Sequence, residues 1–285
     1  MEITASLVKE LREKTGAGIL DAKKALVENN GDMEKAMEFL RQKGIASAEK
    51  KMGRIAAEGR VASYIANGVG AMIEVNCETD FVAKNPDFAA LVDELAKTVA
   101  ENNPADVDAL NKLTVGGKTV EEMVKEKIAT IGEKITVRRF VRREGSLQTY
   151  IHNSKIGVLL VTDKEDATLS KDLCLHITSS APEFVSRKDI PQSVIDEETR
   201  IEMGKEDLQK KPEQIRAKIV EGRIAKLMAS RCLLEQPFVK NPDQTIQQLI
   251  EGKLEVLGFD RFVLGEGLEK RQDNFAEEVM SQIKG

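Results

Sequence analysis

The chain contains no tryptophan and only two tyrosines, so that aromatics make up 4% of its 285 residues. With 32% charged residues beside them, this scarcity excludes an aromatic-lined binding barrel and predicts a helix-rich globular protein. Cysteine is equally sparse. Cys77, Cys174 and Cys232 are odd in number and far apart, which excludes a disulfide framework or a Cys-x-x-Cys metal site and points to a reducing compartment. Charge of one sign is lacking too: 43 Lys and Arg stand against 48 Asp and Glu. The resulting net charge of -5 exerts no general pull on phosphate backbones, so no direct nucleic-acid ligand is expected. No run of about 18 apolar residues occurs. The stretch Met1-Glu2-Ile3-Thr4-Ala5-Ser6-Leu7 shows neither a basic-then-apolar leader nor an Arg-rich presequence, so the expectation is a cytoplasmic protein with no membrane partner.

What is present is enough apolar content, 41%, for one large domain or two to three smaller ones. Residues 1–54 carry three helical patterns. Thr4 or Ser6 caps the first, which bears Leu7, Val8 and Leu11 and ends at Gly16 and Gly18. The second bears Ile19, Leu20, Ala22 and Leu26; the third follows Asp32 with Met33, Ala36, Met37 and Leu40 and closes at Gly44. This three-helix module resembles the ubiquitin-associated type, a shape that specifies only a binding surface. Ala46 to Lys51 reads as a linker or a short solvated helix.

From Gly59 the period changes. Arg60 to Ala66 and Val69 to Cys77 are rich in β-formers and are separated by Asn67-Gly68, a strong signal for a type I′ hairpin. The second strand leads directly into Glu78-Thr79-Asp80-Phe81. A helix of about four turns opens at Pro86 and carries Leu91, Val92, Leu95 and Val99. A looser region, Asn102 to Lys118, precedes a helix through Val120, Val124 and Ile128 and a strand over Lys134 to Arg142. Arg139-Phe140-Val141-Arg142-Arg143-Glu144-Gly145 echoes Arg261-Phe262-Val263-Leu264-Gly265-Glu266-Gly267, which suggests two related α+β halves. In the second half a strand runs from Lys155 to Val161 and a helix from about Ser170 to Ser180. Its insert, about 187–231, reads as an antiparallel helical hairpin in which Pro191 and Ser193 open one helix and Lys211-Pro212 breaks it; Ile215, Ile219, Ile224, Leu227 and Met228 stripe the return. Phe275, Val279 and Ile283 predict a terminal amphipathic helix. The expected fold is thus α+β, with segments 1–54, 55–145, 146–271 and 272–285: helical module, first core half, second core half with its coiled-coil insert, and C-terminal helix.

The chemistry-bearing residues are few. A nucleophilic dyad of Cys77 with His152 or His176 is disfavoured, because Cys77 ends an apolar strand and His176 sits in an apolar helix. Glu78 and Asp80 lack the further ligands that a metal needs. Thr15-Gly16-Ala17-Gly18 lacks the preceding strand and the Lys-Ser/Thr of a phosphate loop. For Asp80-Phe81 two readings stand side by side: Asp80 caps a turn and Phe81 folds back as a hydrophobic staple, or Phe81 is displayed for insertion into a partner.

The run from Leu7 to Leu26 and the run Glu74-Val75-Asn76-Cys77-Glu78-Thr79-Asp80-Phe81-Val82-Ala83-Lys84 together resemble the bacterial elongation factor Ts family. The resemblance continues through Ile131-Gly132-Glu133-Lys134-Ile135, Tyr150-Ile151-His152, Lys155 to Leu159, Gln236-Pro237-Phe238-Val239 and Arg261 to Gly267, in order along the chain. It implies a guanine-nucleotide exchange factor for elongation factor Tu that performs no covalent chemistry and has no cofactor of its own, acting on the GDP and Mg²⁺ bound by its partner. The partner-facing positions it implies are Leu11, Ile19, Leu20 and Lys23 in the helical module; Thr79, Asp80, Phe81 and Val82 at the tip, which enters near the Mg²⁺ and phosphate site; and Ile131, Gly132 and His152 on the core. The insert matches the family's coiled-coil protrusion, a candidate for self-association. The rival reading from another class is a helical adaptor.

Overall fold

The computed structural model describes residues 3–269, in a mixed α+β architecture. The helix expected over Asp273 to Ile283, and the segment 272–285 with it, lie outside the described residues. Three helices open the chain: α1 (Ala5–Thr15), α2 (Ile19–Glu28) and α3 (Met33–Lys51). Thr4 is the cap of α1, its hydroxyl accepting the Leu7 N–H, and Gly16 ends the helix with φ 67°. Leu11, Ala22, Ala25, Leu26 and Ala36 form the buried centre of this group.

Next come the strands β1 (Glu58–Ala66) and β2 (Val69–Cys77), then α4 (Asp80–Ala83), α5 (Pro86–Asn102) and α6 (Val107–Lys112). Asn67 and Gly68 both take positive φ, 52° and 72°, as a type I′ turn requires. The two-residue strands β3 (Thr114–Val115) and β4 (Lys118–Thr119) pair antiparallel across Gly116 and Gly117, and with α6 they give regular structure to the stretch expected to be loose. Asp106 is the local reason for α6, accepting the Ala109 N–H. Then follow α7 (Val120–Ile131), entered through a Thr119/Glu122 capping box, and β5 (Thr136–Glu144).

The remainder runs β6 (Ser146–His152), β7 (Ile156–Thr162), α8 (Ala167–Ser180), α9 (Gln192–Met203), α10 (Glu206–Gln209), α11 (Glu213–Arg231), β8 (Pro237–Phe238), β9 (Asn241–Thr245), α12 (Ile246–Ile250) and β10 (Val256–Val263). α8 begins three residues before the expected Ser170, because the Asp166 carboxylate caps it at the Leu169 N–H. The first helix of the insert stops at Met203 rather than at Lys211-Pro212; Gly204 and the single turn α10 intervene, and Pro212 caps α11. Ile190, Leu208, Val220, Ile224 and Met228 make the apolar seam of this hairpin.

Two three-stranded sheets share one plan. Their orders are β1-β2-β5 and β10-β7-β6, so in each a hairpin receives, beside its second strand, a third strand from later in the chain. The echoed Arg139 and Arg261 lie on those third strands, β5 and β10. β6 and β7 pair from Ser146↔Thr162 to His152↔Ile156, and Val158 and Leu160 on β7 pack with Leu169, Leu173 and Ile177 of α8. The described residues fall into two compact units, one holding 3–62, 73–140 and 263–269, the other 63–72 and 141–262. Neither is a contiguous segment, since strand pairing joins residues remote in sequence. Among the described residues no helix is long and apolar enough to cross a membrane.

In the first unit, α3 differs from the expected helix. It does not close at Gly44 but runs on to Lys51, so that the stretch Ala46 to Lys51 is helix and not linker, the second of its two readings. Gly44 serves packing instead: a Cβ there would lie 2.8 Å from the Ala129 Cβ on α7, so the glycine permits close approach of the two helices. An Arg41–Glu122 ion pair fastens the same pair of helices.

The first unit also buries one carboxylate completely. Glu74 on β2 accepts from Arg138 (2.9 Å) and Arg139 (2.7 Å) on β5 and from the Gly265 N–H (2.8 Å) just after β10. Burial pushes its pKa up, but the Gly265 N–H and the two guanidiniums outweigh burial and hold it below the ordinary carboxylate value. A carboxylate with a depressed folded-state pKa stabilises above its unfolded pKa and loses that contribution as pH falls through the folded value. Glu74→Gln is therefore expected to lower the unfolding free energy by about 3 kcal/mol at neutral pH. In urea titrations the difference from wild type should shrink as pH drops below about 4.

Candidate functional site

Strand β2 is buried along nearly its whole length and ends at Cys77, so the chain leaves the sheet core directly into Glu78 and Thr79. Thr79 caps α4: its hydroxyl accepts the Val82 N–H at 3.3 Å. Of the readings open for Asp80, the turn cap is the one the structure does not support, since Thr79 takes that place. Asp80 occupies the first turn of α4, and its carboxylate meets the Lys84 ammonium at 2.6 Å, an exposed pair worth at most about 1 kcal/mol. Ala83 is buried, Arg60 donates to its carbonyl at 3.4 Å, and Asn85 then caps α5 by accepting from Asp87 and Phe88.

Phe81 is 81% exposed. Of the two sequence readings, the hydrophobic staple therefore does not describe this chain. A phenyl ring held out of the core from a four-residue helix has no packing of its own to orient it.

Polar contacts at the root of the tip supply that orientation. The Glu133 carboxylate accepts the N–H groups of Glu78 and Thr79, both at 3.0 Å, and the Thr79 hydroxyl at 2.6 Å. Glu78 answers by accepting the Lys134 N–H at 2.7 Å, and its carboxylate also lies 3.3 Å from Arg54. Lys134 Nζ donates to the Arg54 carbonyl at 2.9 Å. Glu133 is delivered there by α7, which ends at Gly132 in the left-handed conformation, φ 90°, and so turns the chain toward the tip. Sequence reasoning named neither Glu133 nor Arg54 for a role. Their only local signal was a charged residue directly after a helix-terminating glycine.

The structure thus groups Thr79, Asp80, Phe81 and Val82 on one turn and joins them through Glu133 to half-buried Ile131 and exposed Gly132. Another patch lies on α2, where Ile19 is 57% and Leu20 79% exposed beside exposed Lys23 and Val27, while Ala22, Ala25 and Leu26 face inward. Within the same unit, a Cβ on Gly16 at the end of α1 would stand 3.1 Å from Thr130 Cγ2, next to Ile131. Leu11 is corrected: it is fully buried among the α1–α3 side chains and has no surface to offer a partner. His152 belongs to the other unit, at the exposed end of β6, with Tyr150 Oη 3.1 Å from its Nδ1 and Asn153 Nδ2 3.2 Å from its Nε2.

The reactive groups are shut away. Burial first, and then the charge of Glu133, pushes the Cys77 thiol up to about 12; burial does the same to Cys174. Buried His176 accepts the Val239 N–H at Nδ1 (3.2 Å) and pairs Nε2 with Gln236 (2.9 Å), with its pKa lowered by burial. Both His176 nitrogens are thereby committed to holding the fold. Among the described residues no cluster of His, Cys, Asp and Glu could hold a metal ion.

A braced turn thus displays an aromatic ring, and the same unit carries an exposed apolar helix face. The family model described as elongation factor TS matches residues 78–266. Over its full length the chain is 48% identical to an elongation factor Ts of Thioalkalivibrio sulfidiphilus, all of which is covered. It is 46% identical to that of Alkalilimnicola ehrlichii, again over the whole of both, and 44% to that of Oenococcus oeni, 99% of which is covered. The chain belongs to the elongation factor Ts family, a family of translation elongation factors.

The three cysteines are all buried and unpaired. With so little thiolate available, an aromatic disulfide reagent at pH 8 should label the native protein at least about a hundredfold more slowly than a free thiol. All three thiols should react at once after denaturation; a fast-labelling thiol in the native protein, located by peptide mapping, would contradict the burial of the cysteine that carries it.

Proposed function

We propose that this chain is a guanine-nucleotide exchange factor that binds elongation factor Tu in the cytoplasm and speeds release of its GDP, without covalent chemistry of its own. The reading rests on family membership and, among the structural observations, on the 81% exposure of Phe81 at a braced tip. Burying a phenyl ring contributes on the order of 2 to 3 kcal/mol, but only where an apolar slot receives it. A ring kept in water by the free protein holds that contribution in reserve for the complex.

Exchange follows from linkage. A factor that binds the nucleotide-free partner better than the nucleotide-bound one weakens nucleotide binding by the same ratio that nucleotide weakens its own. A coupling of roughly 4 kcal/mol corresponds to about a thousandfold change in either affinity. In this reading Phe81 supplies the wedge near the partner's Mg²⁺ and phosphate site, with Thr79, Asp80 and Val82 around it. Ile19, Leu20 and Lys23 on α2 and Ile131 and Gly132 after α7 provide docking surface, and His152 adds a contact from the other unit.

Phe81→Ala should slow release of fluorescent GDP from purified elongation factor Tu by about 10- to 100-fold. Its melting temperature should stay within about 2 °C of wild type, because an exposed side chain contributes little to the fold. Release at the wild-type rate would sink the wedge.

A further inference from the structure

We propose that Glu133 is a positioning residue for exchange: it sets the orientation of Phe81 and couples the tip to the Ile131–Gly132 surface, an inference that rests on the exchange reading above. The ring is 81% exposed, so the core does not hold it. Its helix, α4, has four residues, too short to be stable alone. The direction of the ring is therefore inherited from the backbone at Glu78 and Thr79.

Both N–H groups of that backbone are held by one carboxylate, while the Cys77 thiol donates to the Thr79 carbonyl at 3.2 Å. Glu133 takes two successive N–H groups on Oε2 and the Thr79 hydroxyl on Oε1. The third bond has a second effect: with its hydrogen committed to Glu133, the Thr79 oxygen turns a lone pair to the Val82 N–H, and so the cap of α4 depends on the carboxylate behind it. Carboxylate acceptors make stronger bonds than neutral ones and allow less wobble. The reciprocal bond from the Lys134 N–H to Glu78 stops the two segments from sliding past each other. Since Glu133 directly follows Ile131 and Gly132, a partner that docks on those residues meets Phe81 at a fixed offset. Preorganisation of this kind removes the cost of ordering the tip at the moment of insertion.

The experiment measures fluorescent GDP release from purified elongation factor Tu at subsaturating concentrations of full-length wild type, Glu133→Ala, Glu133→Gln, Phe81→Ala and the Glu133→Ala/Phe81→Ala double variant. Glu133→Ala is expected to slow release about tenfold through lost preorganisation. Glu133→Gln should stay within about threefold of wild type, because its amide oxygen still accepts both N–H groups and its NH₂ donates to the Thr79 oxygen. The decisive comparison is the double variant. If Glu133 acts through Phe81, adding Glu133→Ala to Phe81→Ala slows release no further. A merely structural role would not produce that non-additivity. Should Glu133→Ala fail to fold, Thr79→Val takes its place in the same cycle, removing one leg of the clamp and the cap while keeping the shape. Wild-type release by Glu133→Ala, or a double variant slower than Phe81→Ala by the full factor of the clamp variant, overturns the inference. No acceleration of release by wild type overturns the exchange reading itself, whereas wild-type release by Phe81→Ala removes the wedge and the positioning role with it, so the two failures are distinguishable.

Discussion

A carboxylate at the end of one helix receives two backbone N–H groups and a hydroxyl from the end of one strand, and the presentation of the tip depends on that meeting. Glu133 and Thr79 are 54 residues apart in the chain, with two longer helices, α5 and α7, between them. Those elements exist for ordinary reasons: Asn85 and Pro86 start α5, a capping box starts α7, and buried faces hold both in the first unit. Their joint consequence is to return the chain, at Gly132, to the place where β2 lets it go. The tip is then a rigid extension of a core strand and a core helix, although its own four-residue helix has almost no stability in isolation.

Placing a large aromatic in solvent runs against the tendency that shapes the rest of the molecule. Among the described residues the largest fully buried side chain, Phe88, lies seven residues beyond Phe81 and anchors the start of α5. One ring thus fixes the element and the other is kept away from it. The same opposition appears on α2, where Leu26 is fully buried while Leu20 is 79% exposed. Exposed apolar groups on well-capped elements suit a surface whose burial is completed by another molecule.

Glu74 does for the sheet what Glu133 does for the tip. It joins β2, β5 and the segment after β10, bonding to Gly265 at a separation of 191 residues. A buried carboxylate is costly unless it is well bonded, and here two guanidiniums, the Gly265 N–H and the Asn76 amide donate to it. The arginines involved, Arg138 and Arg139, include one of the residues in the heptapeptide that recurs at Arg261, on the third strand of the other sheet.

Local signals alone determined much of the secondary structure. Asn67-Gly68 required the I′ turn because both residues had to take positive φ, and the 3.6-residue apolar periods of α5 and α7 marked their buried faces before any contact was known. The motif runs, read in order, were enough for the family. What only the tertiary structure decided is which of two locally equal options each residue takes. Gly44 stops a helix in sequence logic but admits Ala129 in space; Leu11 lies on an amphipathic helix whose burial depends on what packs against it; Asp80 and Thr79 are both capping residues, and a carboxylate from α7 favours Thr79. Periodicity reports on neighbours within a few residues. The bond between Glu133 and Thr79 spans 54, and no window on the sequence contains it.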